Sequence, residues 1–213
     1  MKDLALDIIN QGITKVTLER FETLIRHFDK INSLEGDIVE CGIWKGGMGI
    51  FLSKMFEDRA IWLADSFEGF EDQKTSTYRF SSERHQKGPR MAVALEVVQS
   101  NFKKYQLGTS RIKFLKGFVK DTLPSSGIEK IAVLRVDVDA YSATRDVLDN
   151  LYDKVVTGGY IIFDDTSLVE TQAALKDFIK ERNISLKLLH PVTDQEVDID
   201  NSLLPSGCYT IKQ

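Results

Sequence analysis

Apolar and polar positions along this chain follow two alternating patterns. Short apolar runs that end in glycine or aspartate predict strands, and stretches with apolar residues three or four apart predict helices. The predicted strands are DIVECG (37–42), AIWLADS (60–66), RIKFLKG (111–117), IAVLRVDVD (131–139) and GYIIFDD (159–165), followed by two C-terminal strands in LKLLHPVT and SGCYTIKQ. Strands that alternate with helices in this way are typical of βαβ units and a parallel sheet.

The helical stretches carry apolar stripes. Thr17 is the predicted cap of a first helix, whose stripe fits either packing on the sheet or a contact in a homodimer. Ser142 is the predicted cap of a later helix that ends at Gly158 and Gly159. The first stripe consists of Leu18, Phe21, Ile25, Phe28 and Ile31, and a second stripe consists of Met91, Leu95, Val98, Phe102 and Tyr105.

The chain of 213 residues contains four prolines, and no linker divides it. We therefore expect one domain over residues 1–213, with a helical extension at 1–34. The polar stretch 68–90 is long for a loop in a compact domain, which predicts a lid. The predicted fold is α/β: a doubly wound, mostly parallel sheet with helices on both faces.

Composition and charge exclude several classes of protein. The formal net charge is −4, and no basic cluster with interleaved aromatic residues is present, so we expect no nucleic-acid partner. No apolar run approaches the ~20 residues needed to cross a bilayer, so we expect no membrane partner. Asp3 and Asp7 make the start a poor signal peptide, and the two cysteines, Cys41 and Cys208, are expected to be buried, reduced thiols. Together these features predict a cytoplasmic protein.

The loop after the first strand reads ECGIWKGG. In a doubly wound sheet, ligands bind beyond the carboxyl ends of the strands, so this loop is a candidate ligand site. Trp44 stands where a dinucleotide fingerprint has its second glycine, and its side chain would obstruct a pyrophosphate. The loop instead suits a nucleoside-like ligand without phosphates, with Glu40 accepting from an ammonium group and Gly42 giving it room. The alternative is a tight turn with no ligand.

Two further strand ends supply candidate contacts for a nucleoside. Asp65 follows the second strand, 23 residues after Gly42, and a carboxylate in this place accepts hydrogen bonds from both hydroxyls of a ribose. A turn or helix-capping aspartate is the alternative. After the third strand, Gly117 and Phe118 are candidates to flank a flat base, although these two residues alone favour a turn followed by a core phenylalanine.

Four carboxylates follow the fourth and fifth strands. Asp137 and Asp139 come after the fourth strand, and Asp164 and Asp165 end the fifth. Neighbouring strands lie ~4.8 Å apart, so Asp137 and Asp164 are expected to converge. A divalent cation would offset the repulsion between these charges, and a set of carboxylate oxygens fits Mg²⁺, with Mn²⁺ and Ca²⁺ as alternatives, and does not fit zinc. The alternative is that some of these residues are separate, solvated helix caps.

The order of motifs resembles that of the macrocin and mycinamicin sugar O-methyltransferase family. The matching stretches are ECGIWKGG, IWLADSFEGF, ALEVVQSNFKKYQL, FLKGFVKDTLP, LRVDVDAYSATRDVLDNLY and GGYIIFDD, roughly over residues 35–180. The resemblance implies a class I fold with a seven-stranded sheet that binds S-adenosylmethionine and magnesium. It also implies metal ligation by Asp137, Asp164 and Asp165. The implied donor contacts are Glu40, Gly42 and Trp44 for the methionine part, Asp65 and Ser66 for the ribose, and Gly117 and Phe118 for the adenine.

The resulting prediction is a metal-dependent O-methyltransferase, forming a homodimer or higher homo-oligomer, that methylates a hydroxyl of a sugar diol or catechol-like small molecule. Asp139 is the first candidate for the general base, because a spacing of two from Asp137 places both side chains on one face of a strand. His85, in the 68–90 stretch, is the second candidate. Two alternatives are a nicotinamide-dependent oxidoreductase on a Rossmann sheet and a non-catalytic nucleoside-binding module.

Overall fold

The computed structural model describes residues 1–71, 91–108, 110–200 and 204–213. The predicted base His85 and most of the predicted lid at 68–90 lie outside these residues. The described helices are α1 (Lys2–Asn10), α2 (Leu18–Arg26), α3 (Phe28–Asn32), α4 (Gly47–Met55), α5 (Leu95–Lys104), α6 (Val119–Thr122), α7 (Tyr141–Leu151) and α8 (Val169–Arg182). The strands are β1 (Asp37–Cys41), β2 (Ile61–Asp65), β3 (Ile112–Lys116), β4 (Ile131–Val136), β5 (Val155–Asp164), β6 (Leu188–Leu189), β7 (Glu196–Val197) and β8 (Gly207–Ile211).

Within the described residues these strands form one sheet in the order β3-β2-β1-β4-β5-β8-β6-β7. Strands β1 to β5 run parallel to one another, whereas β8 runs antiparallel to β5 and β6. The doubly wound, mostly parallel sheet is therefore confirmed. The expected number of seven strands becomes eight, because the C-terminal region folds β6 back on the short β7 as an antiparallel pair. The strand order reverses between β1 and β4, where such sheets bind ligands.

Both faces of the sheet are covered, as predicted. One face packs against the N-terminal helices, with Phe21 of α2 and Phe51 of α4 fully buried. The other face packs against α7 and α8, with Leu151 and Phe178 fully buried. Side chains on the first face include Glu40 of β1, which lies directly opposite Arg135 of β4 in the strand register. A carboxylate and a guanidinium are thus carried into an otherwise apolar layer.

The first predicted helix is two helices in the structure, because α2 ends before His27 and α3 begins after it. Thr17 precedes α2 as predicted but makes no side-chain capping hydrogen bond. The Phe21 ring packs edge-on against Phe51 with 4.8 Å between ring centroids. Phe21 and Ile31 are buried in the core, and the other three residues of the stripe are half-buried against it. The stripe therefore packs on its own chain, and the homodimer stays a prediction.

Two sequence-based boundaries around α7 were wrong. Helix α7 begins at Tyr141 with Ala140 at the N-cap position, so Ser142 lies inside the first turn. The helix ends at Leu151, and Gly158 with Gly159 lies inside β5. Glycine within a strand commonly marks an irregular pairing, and here the pairing of β4 with β5 changes register where Gly158 takes a φ of +82°.

The described helices include none that is long and apolar enough to cross a membrane. Cys41 and Cys208 are both free and buried, as the sequence predicted.

Candidate active site

Two adjoining clefts lie at the carboxyl edge of the parallel strands. The first, here called the apolar cleft, has an open volume of about 950 Å³. The second, here called the acidic cleft, has an open volume of about 1410 Å³. The apolar cleft is lined by Gly42, Asp65, Ser66, Phe118, Val138, Ala143 and Asp146 among others, and the acidic cleft by Arg20, Glu40, Arg135, Asp164, Asp165 and Leu168 among others. Trp44, Asp137 and Asp139 line both clefts.

Gly42 lines the apolar cleft, but its conformation is required by the protein rather than by a ligand. It has a φ of +85°, and a Cβ atom there would lie 1.7 Å from the carbonyl oxygen of Asp137. The absence of a side chain lets the ends of β1 and β4 approach each other. Close packing of the two strand ends is thus one role of Gly42, and the expectation that it also gives room to a donor molecule stays a prediction.

Asp65 holds the loop after β1 in place. Its Oδ2 accepts hydrogen bonds from the backbone amides of Ile43 (2.7 Å) and Trp44 (3.3 Å), and its Oδ1 accepts one from Phe67 (2.7 Å). This is the turn role that the sequence left open as an alternative. The carboxylate also lines the apolar cleft, and each oxygen of a carboxylate can accept more than one hydrogen bond, so contact with a ribose stays compatible with this geometry.

Three other residues were expected around a nucleoside: Ser66 and Phe118 line the apolar cleft, and Gly117 forms the turn before Phe118. The Ser66 hydroxyl lines the apolar cleft and donates to the carbonyl oxygen of Gly69 at 2.6 Å. Phe118 lines the same cleft directly before α6. Gly117 turns the chain with a φ of +139°, and a Cβ there would lie 2.9 Å from the Thr122 methyl group. Gly117 therefore serves the turn that presents Phe118.

Asp146 is a residue of the apolar cleft that the sequence analysis missed. It lies on α7, where Ser142 and Ala143, four and three positions earlier, line the same cleft. Its side chain is largely buried, and burial, with Glu71 as the largest charge contribution, raises its pKa to about 6. The helical spacing of Ser142, Ala143 and Asp146 was the available signal.

Glu40 and Arg135 form a buried ion pair between β1 and β4. Arg135 Nη1 donates to Glu40 Oε1 at 2.7 Å, and both side chains are at most 3% exposed. The second carboxylate oxygen, Oε2, is buried and has no hydrogen-bond partner within the described part of the chain. Burial outweighs the neighbouring guanidinium and raises the pKa of Glu40 to about 8. The site therefore has an unsatisfied acceptor on the wall of the acidic cleft.

Asp137 and Asp164 converge as the strand order predicted. Arg135 Nη2 lies 2.8 Å from Asp137 Oδ2 and also donates to Asp164. Asp164 additionally accepts a hydrogen bond from Arg20 Nη1 at 2.7 Å. Two guanidinium groups thus offset the repulsion between the strand-end carboxylates, in addition to any cation.

The carboxylates that come closest together are Asp137, Asp139 and Asp165, each with an oxygen within 4.8 Å of the other two. Burial raises the pKa of Asp137 to about 7, and burial together with a hydrogen bond to Asp139 raises the pKa of Asp165 to about 7. The sequence instead grouped Asp164 with Asp137 and Asp165 and treated Asp139 as a base.

The geometric reason given for Asp139 was wrong. Strand β4 ends at Val136, and Asp139 has a φ of +55°, so Asp137 and Asp139 do not lie on one strand. Their side chains come together because the chain turns after β4, which the alternation of a strand does not describe.

Trp44 forms the wall between the two clefts. It has a left-handed backbone with a φ of +50°, which is uncommon for a bulky residue and is typical of functional loops. The ammonium groups of Lys15 and Lys45 lie 5.1 and 4.6 Å from the centre of its ring system. Such cation–π contacts hold the indole in place.

The fold and the site define a class I methyltransferase-like architecture, and comparison with solved structures bears this out. The structure of the O-methyltransferase NovP superposes with a TM-score of 0.80 at 32% identity, covering 93% of this chain and 81% of that one. The calicheamicin methyltransferase CalS11 superposes with a TM-score of 0.71 over 97% of this chain and 83% of that one, and at 17% identity it supports the fold alone.

The sequence model of the family described as Macrocin-O-methyltransferase (TylF) matches residues 1–197, and the chain belongs to this family. The match includes the N-terminal helices, beyond the 35–180 stretch on which the resemblance was first based. Demethyldecarbamoylnovobiocin O-methyltransferase of Streptomyces niveus is 39% identical over 71% of this chain. Mycinamicin III 3''-O-methyltransferase of Micromonospora griseorubida is 34% identical over 79% of it. The aligned stretches span 62% and 67% of these two relatives.

Proposed function

We propose that this chain transfers a methyl group from S-adenosylmethionine to a hydroxyl of a glycosylated or catechol-like natural product. The observation that carries the proposal is the junction at Trp44, where the apolar cleft meets a cluster of carboxylates. Membership of the macrocin O-methyltransferase family supports the same reaction over the nicotinamide alternative. The acceptors in the names of the relatives, one of which is a rhamnosyl-tetracenomycin, support a sugar-bearing natural product as the acceptor class.

The apolar cleft is the proposed site of the nucleoside part of the donor. Asp65 accepts from the ribose hydroxyls, with Ser66 beside it, and Phe118 borders the adenine. Glu40 Oε2, the buried acceptor atom on the acidic side, receives the ammonium group of the methionine part. Gly42 and Trp44 lie along the methionine part of the donor, and the sulfonium is placed where the two clefts meet.

A hard divalent cation such as Mg²⁺ fits the acidic cleft. Among the described side chains that line this cleft, the buried and half-buried ones include five carboxylates and two guanidinium groups. When all of these are ionised, the net formal charge is three negative charges. One ammonium group and one divalent cation would balance them. The carboxylates are Glu40, Asp137, Asp139, Asp164 and Asp165, and the guanidinium groups belong to Arg20 and Arg135.

When bound, the cation would lower the pKa of an acceptor hydroxyl, and the donor supplies an electrophilic methyl group. The chain's own part is to orient the reactants and to take up the proton. Asp139 and Asp165 share a hydrogen bond, so this pair is able to hold a proton next to the junction. The loss of the sulfonium charge is favoured in a cleft walled by Trp44 and Val138, from which water is displaced.

A methyl-transfer assay tests the proposed reaction. The chain is incubated with S-adenosylmethionine carrying a labelled methyl group and a panel of glycosylated natural products and catechols, with magnesium or with a chelator. The expected result is labelled product from at least one acceptor with magnesium and its loss with the chelator. Transfer that is unaffected by the chelator would refute the cation, and no transfer to any member of the panel would count against the proposed acceptor class.

The identity of the third metal ligand is tested with two matched variants, Asp139→Asn and Asp164→Asn. Asp137 and Asp165 belong both to the ligand set expected from the sequence and to the cluster in the structure. Binding of Mn²⁺ is followed by electron paramagnetic resonance. If Asp164 is a ligand and Asp139 the base, Asp164→Asn weakens Mn²⁺ binding and Asp139→Asn abolishes turnover with Mn²⁺ affinity retained. The reverse pattern assigns Asp139 as the ligand, and unchanged affinity in both variants contradicts a shared cation site.

A further inference from the structure

Arg135 is the one described side chain that contacts the carboxylates of both proposed subsites. It binds Glu40 at the donor end through Nη1, and Asp137 and Asp164 at the cation end through Nη2. The side chain is 3% exposed. Strands β1, β4 and β5 are adjacent and parallel, and Arg135 lies on the middle one. Glu40 and Asp164 lie on the two flanking strands, and Asp137 directly follows β4.

The geometry of a guanidinium suits this position. Its planar fork offers several donors in fixed directions, so one side chain is able to hold carboxylates on three strands at once, whereas an ammonium is a point charge on a flexible stem. Buried carboxylates that lose their partner reorient or become protonated. The positions of Glu40, Asp137 and Asp164 therefore depend on the same group.

We propose that Arg135 is a positioning residue that links the two subsites: it holds Glu40 ready for the donor ammonium and holds Asp137 and Asp164 ready for the cation. This inference rests on the proposed function, since it assumes that the clefts take a sulfonium donor and a divalent cation. In this proposal Arg135 acts through these carboxylates and not directly on a reactant. Its removal should weaken the binding of both, although the two subsites use different carboxylates.

The test compares Arg135→Met, Arg135→Lys and the double variant Arg135→Met/Glu40→Gln with the wild type. Binding of S-adenosylhomocysteine is measured by calorimetry, Mn²⁺ binding by electron paramagnetic resonance, and folding by thermal denaturation. Arg59→Met is the matched control, because Arg59 is a largely buried guanidinium that holds the backbone carbonyls of Gly36 and Asn32, away from the clefts.

Arg135→Met is expected to weaken both ligands by roughly thirtyfold or more, the effect of breaking a buried charge pair, and Arg59→Met to leave both affinities unchanged. Arg135→Lys is expected to recover stability but only part of either affinity. In the double variant, removal of the unpaired Glu40 charge should restore much of the thermal stability, while Mn²⁺ affinity stays low because Asp137 and Asp164 remain unsupported.

Two results would overturn the inference. One is wild-type affinity for both ligands in folded Arg135→Met, and the other is recovery of Mn²⁺ affinity together with stability in the double variant, which would make the role purely structural. A wild-type chain that binds neither ligand would instead refute the proposed function, so the two failures are distinguishable.

Discussion

At the scale of single residues, Gly42 shows how a missing side chain holds the site together. A Cβ atom there would overlap the carbonyl oxygen of Asp137, so the residue that seemed chosen for a ligand is first required by the meeting of β1 and β4. A glycine in the turn after a strand therefore indicates that another group approaches the backbone closely. The sequence does not say whether that group is another segment of the protein or a ligand.

Gly42→Ala is expected to destabilise the chain far more than Gly127→Ala. Both positions have a positive φ, so both variants lose about 1–2 kcal/mol from the left-handed backbone, but a Cβ at Gly127 meets no atom within 4 Å. Urea denaturation measures the two free energies of unfolding. Equal losses would show that the strand ends separate easily and that the Asp137 contact is unimportant.

Glu40→Gln is expected to weaken the binding of S-adenosylhomocysteine about tenfold or more, because a charge-assisted hydrogen bond to the ammonium becomes a neutral one. The loss should appear in calorimetry with little change in folding, since the buried pair with Arg135 keeps one hydrogen bond. Glu35→Gln is the matched control, because Glu35 is exposed and pairs only with Lys130 among the contacts described. Unchanged affinity in Glu40→Gln would remove Glu40 from the donor site.

At the scale of elements, the strands were predicted well and their interruptions were not. The apolar runs of β1, β2, β4 and β5 are local features, and so are the aspartates at or just after the ends of β2, β4 and β5. The sequence therefore located these strands and the edge where they meet. Three irregularities depend on contacts between distant segments: the break between helices at His27, the irregular strand pairing at Gly158, and the turn after β4 that brings Asp139 close to Asp137. Arg135 in an apolar strand was a visible anomaly, because a buried charge needs partners, but those partners follow only from the strand register.

The N-terminal helices belong to the site through Arg20 of α2. Its guanidinium donates to Asp164 on β5 at 2.7 Å and to the Ser206 hydroxyl, just before β8, at 2.9 Å. The sequence analysis treated residues 1–34 as an extension and missed this residue. Helix α2 thus fixes the outer wall of the acidic cleft to the sheet.

Gly207→Ala is expected to loosen α2 without removing any charged group. A Cβ on Gly207 would lie 1.4 Å from Arg20 Nη1, so the guanidinium has to leave Asp164 and Ser206. Hydrogen exchange of the amides in α2 should become faster, whereas Gly108→Ala, where a Cβ meets no atom within 4 Å, should leave it unchanged. Equal exchange in the two variants would mean that Arg20 does not anchor the helix.

At the scale of the whole molecule, the chain concentrates acidic groups with raised pKa values at one edge of its sheet. The pKa is about 8 for Glu40 and about 7 for Asp137 and Asp165, against ordinary values of 4.5 and 3.8. The folded chain therefore binds more protons than the unfolded chain between pH 4 and pH 8. Folding without a cation must become less favourable as the pH rises through this window.

The melting temperature of the cation-free chain is thus expected to fall between pH 6.5 and pH 8.5. The lower limit lies at the ordinary pKa of His27, 6.5, because burial lowers the pKa of this residue and its opposing effect fades as the pH rises above that value. Added Mg²⁺ should raise the melting temperature more at pH 8.5 than at pH 6.5, because the cation binds deprotonated carboxylates. A melting temperature that is flat or rises over this range without Mg²⁺ would contradict the protonation states described above.

The most direct test of the central claim is calorimetric titration of the purified chain with S-adenosylhomocysteine, and separately with NAD, in the presence of Mg²⁺. The account predicts saturable binding of one S-adenosylhomocysteine per chain and no detectable binding of NAD, because Trp44 stands where a pyrophosphate would need room. Binding of NAD with comparable affinity, or a folded chain that binds no S-adenosylhomocysteine, would contradict the proposal that the two clefts form a methyl-transfer site.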